Sequence, residues 1–477
     1  MKSSKGLFAA LAAAGSLLIG AGQAQAAATI VINNINAPGV GFNDPTPAAP
    51  VGGNTGTTLG EQRLIAFTYA ANLWGATLTS NVPIVINAQF SALTCSATSA
   101  VLGSAGATRI YRDFPNAPKP GTWYSYALAN KLAGVEVDAA PSAQINANFN
   151  VNLGQANCLT GTFFYLGLDG NHGANTDFVA VLLHEMGHGL GFQTFTSGTT
   201  GAFNGGFPAI WDHYLYSVAA GKTWKDATAA ERVASAISVN GLVWTGPLVT
   251  AEVPNVLRQG TAVLQVGGAG AGSAAGTYAV GEASFGKPIL GPTVTAQIMP
   301  VATQTAGAGN GCEPFTENNI KAVRGRIALI DRGTCGFTIK VKNAQNAGAV
   351  GVLIADNAAG SPPPGLGGSD NTITIPAVRI TLADGNTIKA ALRTRSRVAS
   401  GVIGTLTTVG SQYAGADPLG RALMYAPNPF QSGSSVSHFD VTAFRNQLME
   451  PAINGDLTQS VLPPQDLTFR LFQDIGW

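Results

Sequence analysis

The sequence predicts an α+β fold, a mixed sheet and an active-site helix, interrupted by an inserted α/β domain. Three observations carry that prediction. Strand-like segments lead into one strongly apolar helical run at Val181–Phe192, and strands followed by a helix suit an α+β layer. A separate stretch, 320–400, alternates strand and helix patterns in the manner of a βαβ unit. Histidines, a residue type that can hold a metal ion, fall on both sides of that stretch, with His184 and His188 before it and His438 after it.

At 477 residues the chain can hold two or three domains. Its formal net charge is +1 and only 11% of residues are charged, so nothing provides the basic surface that nucleic-acid binding requires. Residues 1–26 read as a secretory signal peptide: Lys2 and Lys5, an apolar run from Leu7 to Ile19, then Ala24-Gln25-Ala26. The expectation is therefore an exported protein, extracellular or periplasmic and of bacterial type, without stable membrane insertion. Four cysteines in an exported chain suggest two disulfides among three connectivities. Pairing neighbours, Cys95–Cys158 and Cys312–Cys335, keeps each bridge within one domain.

Taken in order, 29–36 alternates as an edge strand, and 37–60, rich in Pro, Gly and Thr, is a loop. Residues 61–74 have helical spacing through Leu64, Phe67 and Ala71. Strands are expected at 82–90, 145–151 and 161–168, separated by a Gly- and Ala-rich passage. Thr176 or Asp177 caps a helix over about 177–190, and Gly191 ends it with a left-handed turn. A helix at 227–238 follows. From about 241 the texture turns to Val, Gly and Thr, and 267–276 reads as a flexible loop. Within 320–400, strands are expected at 326–331, 350–355 and 373–380, and helices at 338–347 and 382–392. Lys340, Lys342, Arg393, Arg395 and Arg397 read as a solvated face. A last helix is capped by Asp466, with Leu467, Leu471 and Ile475 as one apolar stripe.

The chemistry sits in His184-Glu185-Met186-Gly187-His188. Two histidines four apart emerge on one helix face, one turn apart, spaced to share a Zn²⁺ ion. Glu185 lies where its carboxylate can take a proton from a zinc-activated water. The motif does not name the third protein ligand. A short-spaced site would place it three residues beyond Gly191, where the chain has Thr194, a poor ligand. A glutamate on a later helix would be Glu231, which nothing around it supports. His172 and His213 read as ordinary hydrogen-bonded histidines.

Two stretches resemble known families. Arg324–Phe337 (RGRIALIDRGTCGF), Lys340–Ala349 (KVKNAQNAGA) and Ile375-Pro376-Ala377 resemble the protease-associated (PA) domain, a non-catalytic lid or docking module. That resemblance implies the Cys312–Cys335 disulfide and an insert over 245–408. The zinc helix with Gly191-Phe192, Ser437-His438-Phe439-Asp440 and Leu448-Met449-Glu450-Pro451 resemble the leishmanolysin-like branch of the metzincins. In that branch an insertion separates the helix from a later histidine and a methionine turn, which implies His438 as third ligand and Met449 as the Met-turn. His438 lies 250 positions beyond His188. A folded insert with adjacent ends can occupy such a gap without breaking its host.

The expected organisation is thus a signal peptide (1–26), a catalytic part with the HExxH helix (27–244), the PA-like insert (245–408) and a second catalytic part (409–477). The expected function is a secreted zinc endopeptidase acting on proteins or peptides through one catalytic Zn²⁺. The competing class is a secreted PA-domain binding or adhesion protein with a vestigial protease domain. Oligomeric state has no signature in the sequence.

Overall fold

The computed structural model describes residues 27–97, 99–302, 309–368, 370 and 372–477. The expected signal peptide lies outside them. Among the described residues no helix is long and apolar enough to cross a membrane.

A four-stranded mixed sheet comes first, ordered Ile30–Asn34, Ile84–Ser91, Ile145–Asn150, Gly103–Ala107. Its first three strands run parallel and the fourth antiparallel. Alternation decides its faces. Ile84, Ile86, Ala88 and Phe90 point into the core, while Asn87 on the opposite face bonds Asn33 and Asn146 across the strands (2.8 and 3.3 Å).

Two helices cover the apolar face. Leu59–Thr77 starts earlier than its hydrophobic spacing suggests, because Thr58 and Glu61 form a reciprocal capping box. Phe178–Leu190 starts at Asp177, whose carboxylate accepts the Val179 amide at 2.9 Å. Trp74 of the first donates its indole N–H to the Leu183 carbonyl of the second (3.1 Å), and both are fully buried. Phe67, Phe149 and Phe178 pack edge to face in the same layer.

Several expected elements shrink. Only Phe164–Tyr165 of 161–168 is strand, since the Leu166 carbonyl accepts from Asn54 and the Leu168 amide donates to Gly52. The helix expected at 227–238 is Ala229–Ser235, capped by Thr228 and Glu231. Three helices were not foreseen, Tyr126–Ala133, Pro247–Val256 and Glu317–Val323. The second packs on the C-terminal helix Thr468–Ile475, from which Asp474 caps it by accepting the Leu248 and Val249 amides (2.9 and 3.2 Å). A cap supplied 225 residues away leaves no local signature.

The second sheet has eight strands: Gly276–Ala279, Gln259–Gly267, Ile403–Tyr413, Val294–Pro300, Ile327–Asp331, Gly351–Ala355, Ala377–Ile380 and Gly281–Glu282, in spatial order. Val294–Pro300 through Ala377–Ile380 are parallel. The central strands are apolar on both faces, as parallel strands covered on both sides must be: Ala328 and Ile330 enter one cluster, Ile327 and Leu329 the other. Gln259 pairs with Tyr413, so the chain leaves and re-enters the first core side by side.

Lys340 departs from expectation. It is fully buried and donates from Nζ to the carbonyls of Gly333 (2.7 Å) and Asn310. Burial pulls its ammonium down to about 8. The helix Phe337–Asn346 turns this residue toward the loop of the Cys312–Cys335 disulfide rather than to solvent. Arg393, Arg395 and Arg397 do lie exposed. Both disulfides form as the neighbour pairing predicts.

Candidate metal centre

The helix Phe178–Leu190 delivers His184 and His188 one turn apart, and the loop before Phe439 brings His438 against them. The Nε2 atoms of His184 and His438 lie 3.2 and 3.1 Å from that of His188. Among the described residues this trio is the one group of three or more His, Cys, Asp or Glu whose ligating atoms converge. His184 and His438 are buried, while His188 is partly exposed.

The outer ring nitrogens explain the inner ones. Each Nδ1 faces a backbone carbonyl: Leu448 for His184 (2.8 Å), Phe192 for His188 (2.9 Å) and Ser434 for His438 (2.7 Å). A carbonyl only accepts, so each Nδ1 carries the proton. Burial lowers all three rings, His184 to about 4, His188 to about 3 and His438 well below its ordinary value, so they are neutral. Three Nε2 lone pairs therefore converge with no proton between them, an arrangement that a shared cation satisfies. Tetrahedral zinc with Zn–N near 2.05 Å needs N···N edges of about 3.3 Å. The observed spacings fit that donor set.

Glu185 is buried beside the edge strand Gly103–Ala107. Desolvation raises its carboxyl to about 8, opposed by a bond from the Ala105 amide. Gly103 makes the close approach possible, since a Cβ there would lie 3.0 Å from Glu185 Cγ. Gly191 ends the helix at φ +130°, and the next carbonyl, that of Phe192, holds His188. Met449 is fully buried, and a Cβ on Gly187 would come within 2.8 Å of its sulfur. The glycine in the motif thus gives the methionine its place against the helix. Asp466 accepts the Leu448 amide at 2.6 Å and the Thr468 amide at 2.7 Å. It fixes the Leu448 turn and holds the first amide of the last helix, whose N-cap is Leu467 and not Asp466 as the sequence suggested.

Histidines outside the trio behave as the sequence suggests. His172 Nδ1 bonds the Asn175 carbonyl (2.7 Å) and His213 Nε2 bonds Thr122 Oγ1 (3.1 Å). Glu231 is a capping residue paired with Lys222. Sequence reasoning missed the edge strand at 103–107 and the three carbonyl partners. Gly-Ser-Ala-Gly-Ala lacks the β-branched and aromatic residues that mark strands, and a backbone carbonyl has no sequence signal.

Residues 292–388 match the PA domain family model, so this chain carries a PA domain. ER degradation-enhancing alpha-mannosidase-like protein 3 of Xenopus laevis is 36% identical over 97 residues, 19% of this chain and 10% of that protein. An aminopeptidase of Pseudomonas aeruginosa (strain UCBPP-PA14) is 51% identical over 65 residues, 13% of this chain and 12% of the relative. The aminopeptidase from Aneurinibacillus sp. strain AM-1 is a solved structure 26% identical, with TM-score 0.23, covering 33% of this chain and 32% of its own. This chain spans about a tenth of the length of the first curated relatives it matches. A mannosidase-like protein, an aminopeptidase and the vacuolar-sorting receptor 2 of Arabidopsis thaliana share short stretches under different names, as proteins sharing a module do.

Proposed function

We propose that this chain is an exported zinc-dependent endopeptidase of the leishmanolysin-like metzincin type, split by its PA domain. The observation that carries the reading is the convergence of three neutral Nε2 atoms, each ring held by an outward Nδ1–carbonyl bond. His184, His188 and His438 are the ligands of one Zn²⁺, Glu185 is the general base, and Met449 is the Met-turn residue. Zinc, when bound, supplies Lewis acidity toward water and a peptide carbonyl.

The chain's own residues do the rest. Glu185 takes a proton from water and returns it to the leaving amine. Its burial favours the protonated form, and a cation held by the trio would oppose that preference. The Ala105 amide favours the carboxylate form. Gly191 and Asp466 keep the Phe192 and Leu448 carbonyls where they fix the tautomers of His188 and His184.

The domain division is also a proposal. The pairing of Gln259 with Tyr413 supports placing the seam nearer 258 and 414 than 245 and 408. Val249, Val253 and Val256 belong to the first core, as does Ala416.

Casein hydrolysis that a chelator stops and zinc restores tests the enzyme against the PA-domain binder. Glu185→Ala should keep its zinc and lose hydrolysis, and normal turnover in that variant would refute the assignment. The word aminopeptidase in relatives' names raises terminal trimming as the rival activity. A peptide blocked at both ends separates the two: internal fragments by mass spectrometry are expected, and an intact peptide beside a trimmed free one would refute the endopeptidase reading.

A further inference from the structure

We infer that Asp212, acting through Thr194 and Ser437, is the positioning residue that presents His438, an inference that rests on the metal reading above. His438 stands at the end of a strained approach. Val436 has φ +74°, a region that a β-branched residue occupies only when its surroundings impose it. Two bonds from elsewhere in the chain do so. Trp211 Nε1 donates to the Val436 carbonyl (3.3 Å), and the Thr194 amide donates to Ser437 Oγ (3.3 Å). They grip the two residues immediately before His438.

Both converge on one short turn, Ile210–His213. Asp212, fully buried there, accepts from Thr194 Oγ1 (2.8 Å), the Ala209 amide (2.8 Å) and Thr196 Oγ1. Among the described residues no cation bonds it, because Arg232, the nearby guanidinium, donates instead to the carbonyls of Gly201, Trp224 and Ala227. A buried carboxylate held by two hydroxyls and an amide is a poor way to gain stability. It is a good way to fix a loop, since both oxygens accept directionally from the same short segment. Thr194 lies where a short-spaced site would carry its ligand, three residues beyond Gly191. Here its amide holds the loop of a ligand supplied from 250 positions beyond His188, and its hydroxyl is anchored by Asp212.

The test uses Co²⁺ alone as probe on the full chain, reading its d–d absorption and its affinity against a chromogenic chelator. Wild type should bind one ion per chain. Thr194→Val, which keeps the shape and removes the hydroxyl, should weaken binding about 10-fold or more and alter the d–d bands. Thr194→Ser should restore both. Ser437→Ala and Asp212→Asn should shift affinity in the same direction as Thr194→Val. Lys340→Met, in the core of the second sheet, should lower the melting temperature without moving Co²⁺ affinity. Wild-type affinity and spectrum in Thr194→Val and Ser437→Ala would overturn the positioning role and leave the metal reading intact. Wild type that binds no Co²⁺ would overturn the metal reading itself.

Discussion

Gly191 has to end the triad helix without letting go of His188, and replacing it by alanine puts a number on that task. Two effects add. At φ +130° and ψ 12° a residue with a Cβ is strained, by roughly 1–3 kcal/mol. The new Cβ would also sit 2.9 Å from Ser125 Oγ. Relieving that overlap means rotating a hydroxyl that donates to the Leu190 carbonyl at 2.9 Å, a loss of about 1 kcal/mol, or shifting backbone at a cost of about 1–3 kcal/mol. Gly191→Ala should therefore destabilise the protein by about 2–4 kcal/mol. A double-mutant cycle with Ser125→Ala separates the parts. Residue 125 would then present only its Cβ, which lies 3.7 Å from the new atom in ordinary contact. In that background Gly191→Ala should cost only the backbone strain, so the coupling should favour the double variant by about 1 kcal/mol or more. Urea unfolding of the four zinc-loaded proteins reads it. Purely additive effects, or a single substitution costing under about 1 kcal/mol, would refute the steric account of this turn.

Three further outcomes follow from the same contacts. Asp474→Ala should destabilise by about 2–4 kcal/mol, because two helix amides and the Trp244 indole N–H (3.0 Å) lose their acceptor together; a loss below about 1 kcal/mol in urea unfolding would contradict it. His213 is held down to about 4, chiefly by burial with Lys119 and Lys225 adding. Its folded value lies below its unfolded one, so stability is complete above about 6.5 and falls as pH drops toward 4; His213→Gln should flatten that part of the urea-midpoint profile, and an unchanged slope would count against it. Chelator treatment should lower the melting temperature and excess zinc restore it, since an ion bound only by the folded state at 1,000 times its Kd adds about 4 kcal/mol; calorimetry showing no shift would count against the trio as a metal site.

The sequence was most legible where periodicity and local chemistry agree. His184, Glu185 and His188 could be placed on one helix because their spacing is short, and Asp177 and Gly191 bracketed it within a residue. The strand Ile327–Asp331 and the helix Phe337–Asn346 were legible for the same reason. What escaped depended on partners remote in sequence. Pro247–Val256 is capped by Asp474, and Lys340 is buried because carbonyls from Asn310 and Gly333 await it. The strand at 103–107 escaped because its residues are small, which is also why Glu185 can lie against it.

Bringing His438 to the helix from 250 positions beyond His188 carries an apparent entropic handicap. Closing a flexible loop of about 250 residues rather than about five costs roughly 3 kcal/mol more. That comparison assumes the gap is flexible, and most of it is not. The strands Gln259–Gly267 and Ile403–Tyr413 pair along their lengths, so a folded PA-containing unit returns the chain to within one strand spacing of where it left. Arg258 tightens the junction: its amide donates to the Phe444 carbonyl (2.6 Å), and its guanidinium pairs with Glu282 of the second sheet. From Ala414 onward the chain is back on the first core, where the Trp211–Asp212 turn receives the loop of His438. The remaining closure is over ordered segments that fold against the same helix. A long insertion is thus compatible with a tight trio because it folds as a closed unit, and the residues that set the trio's geometry are those flanking the junction and the turn.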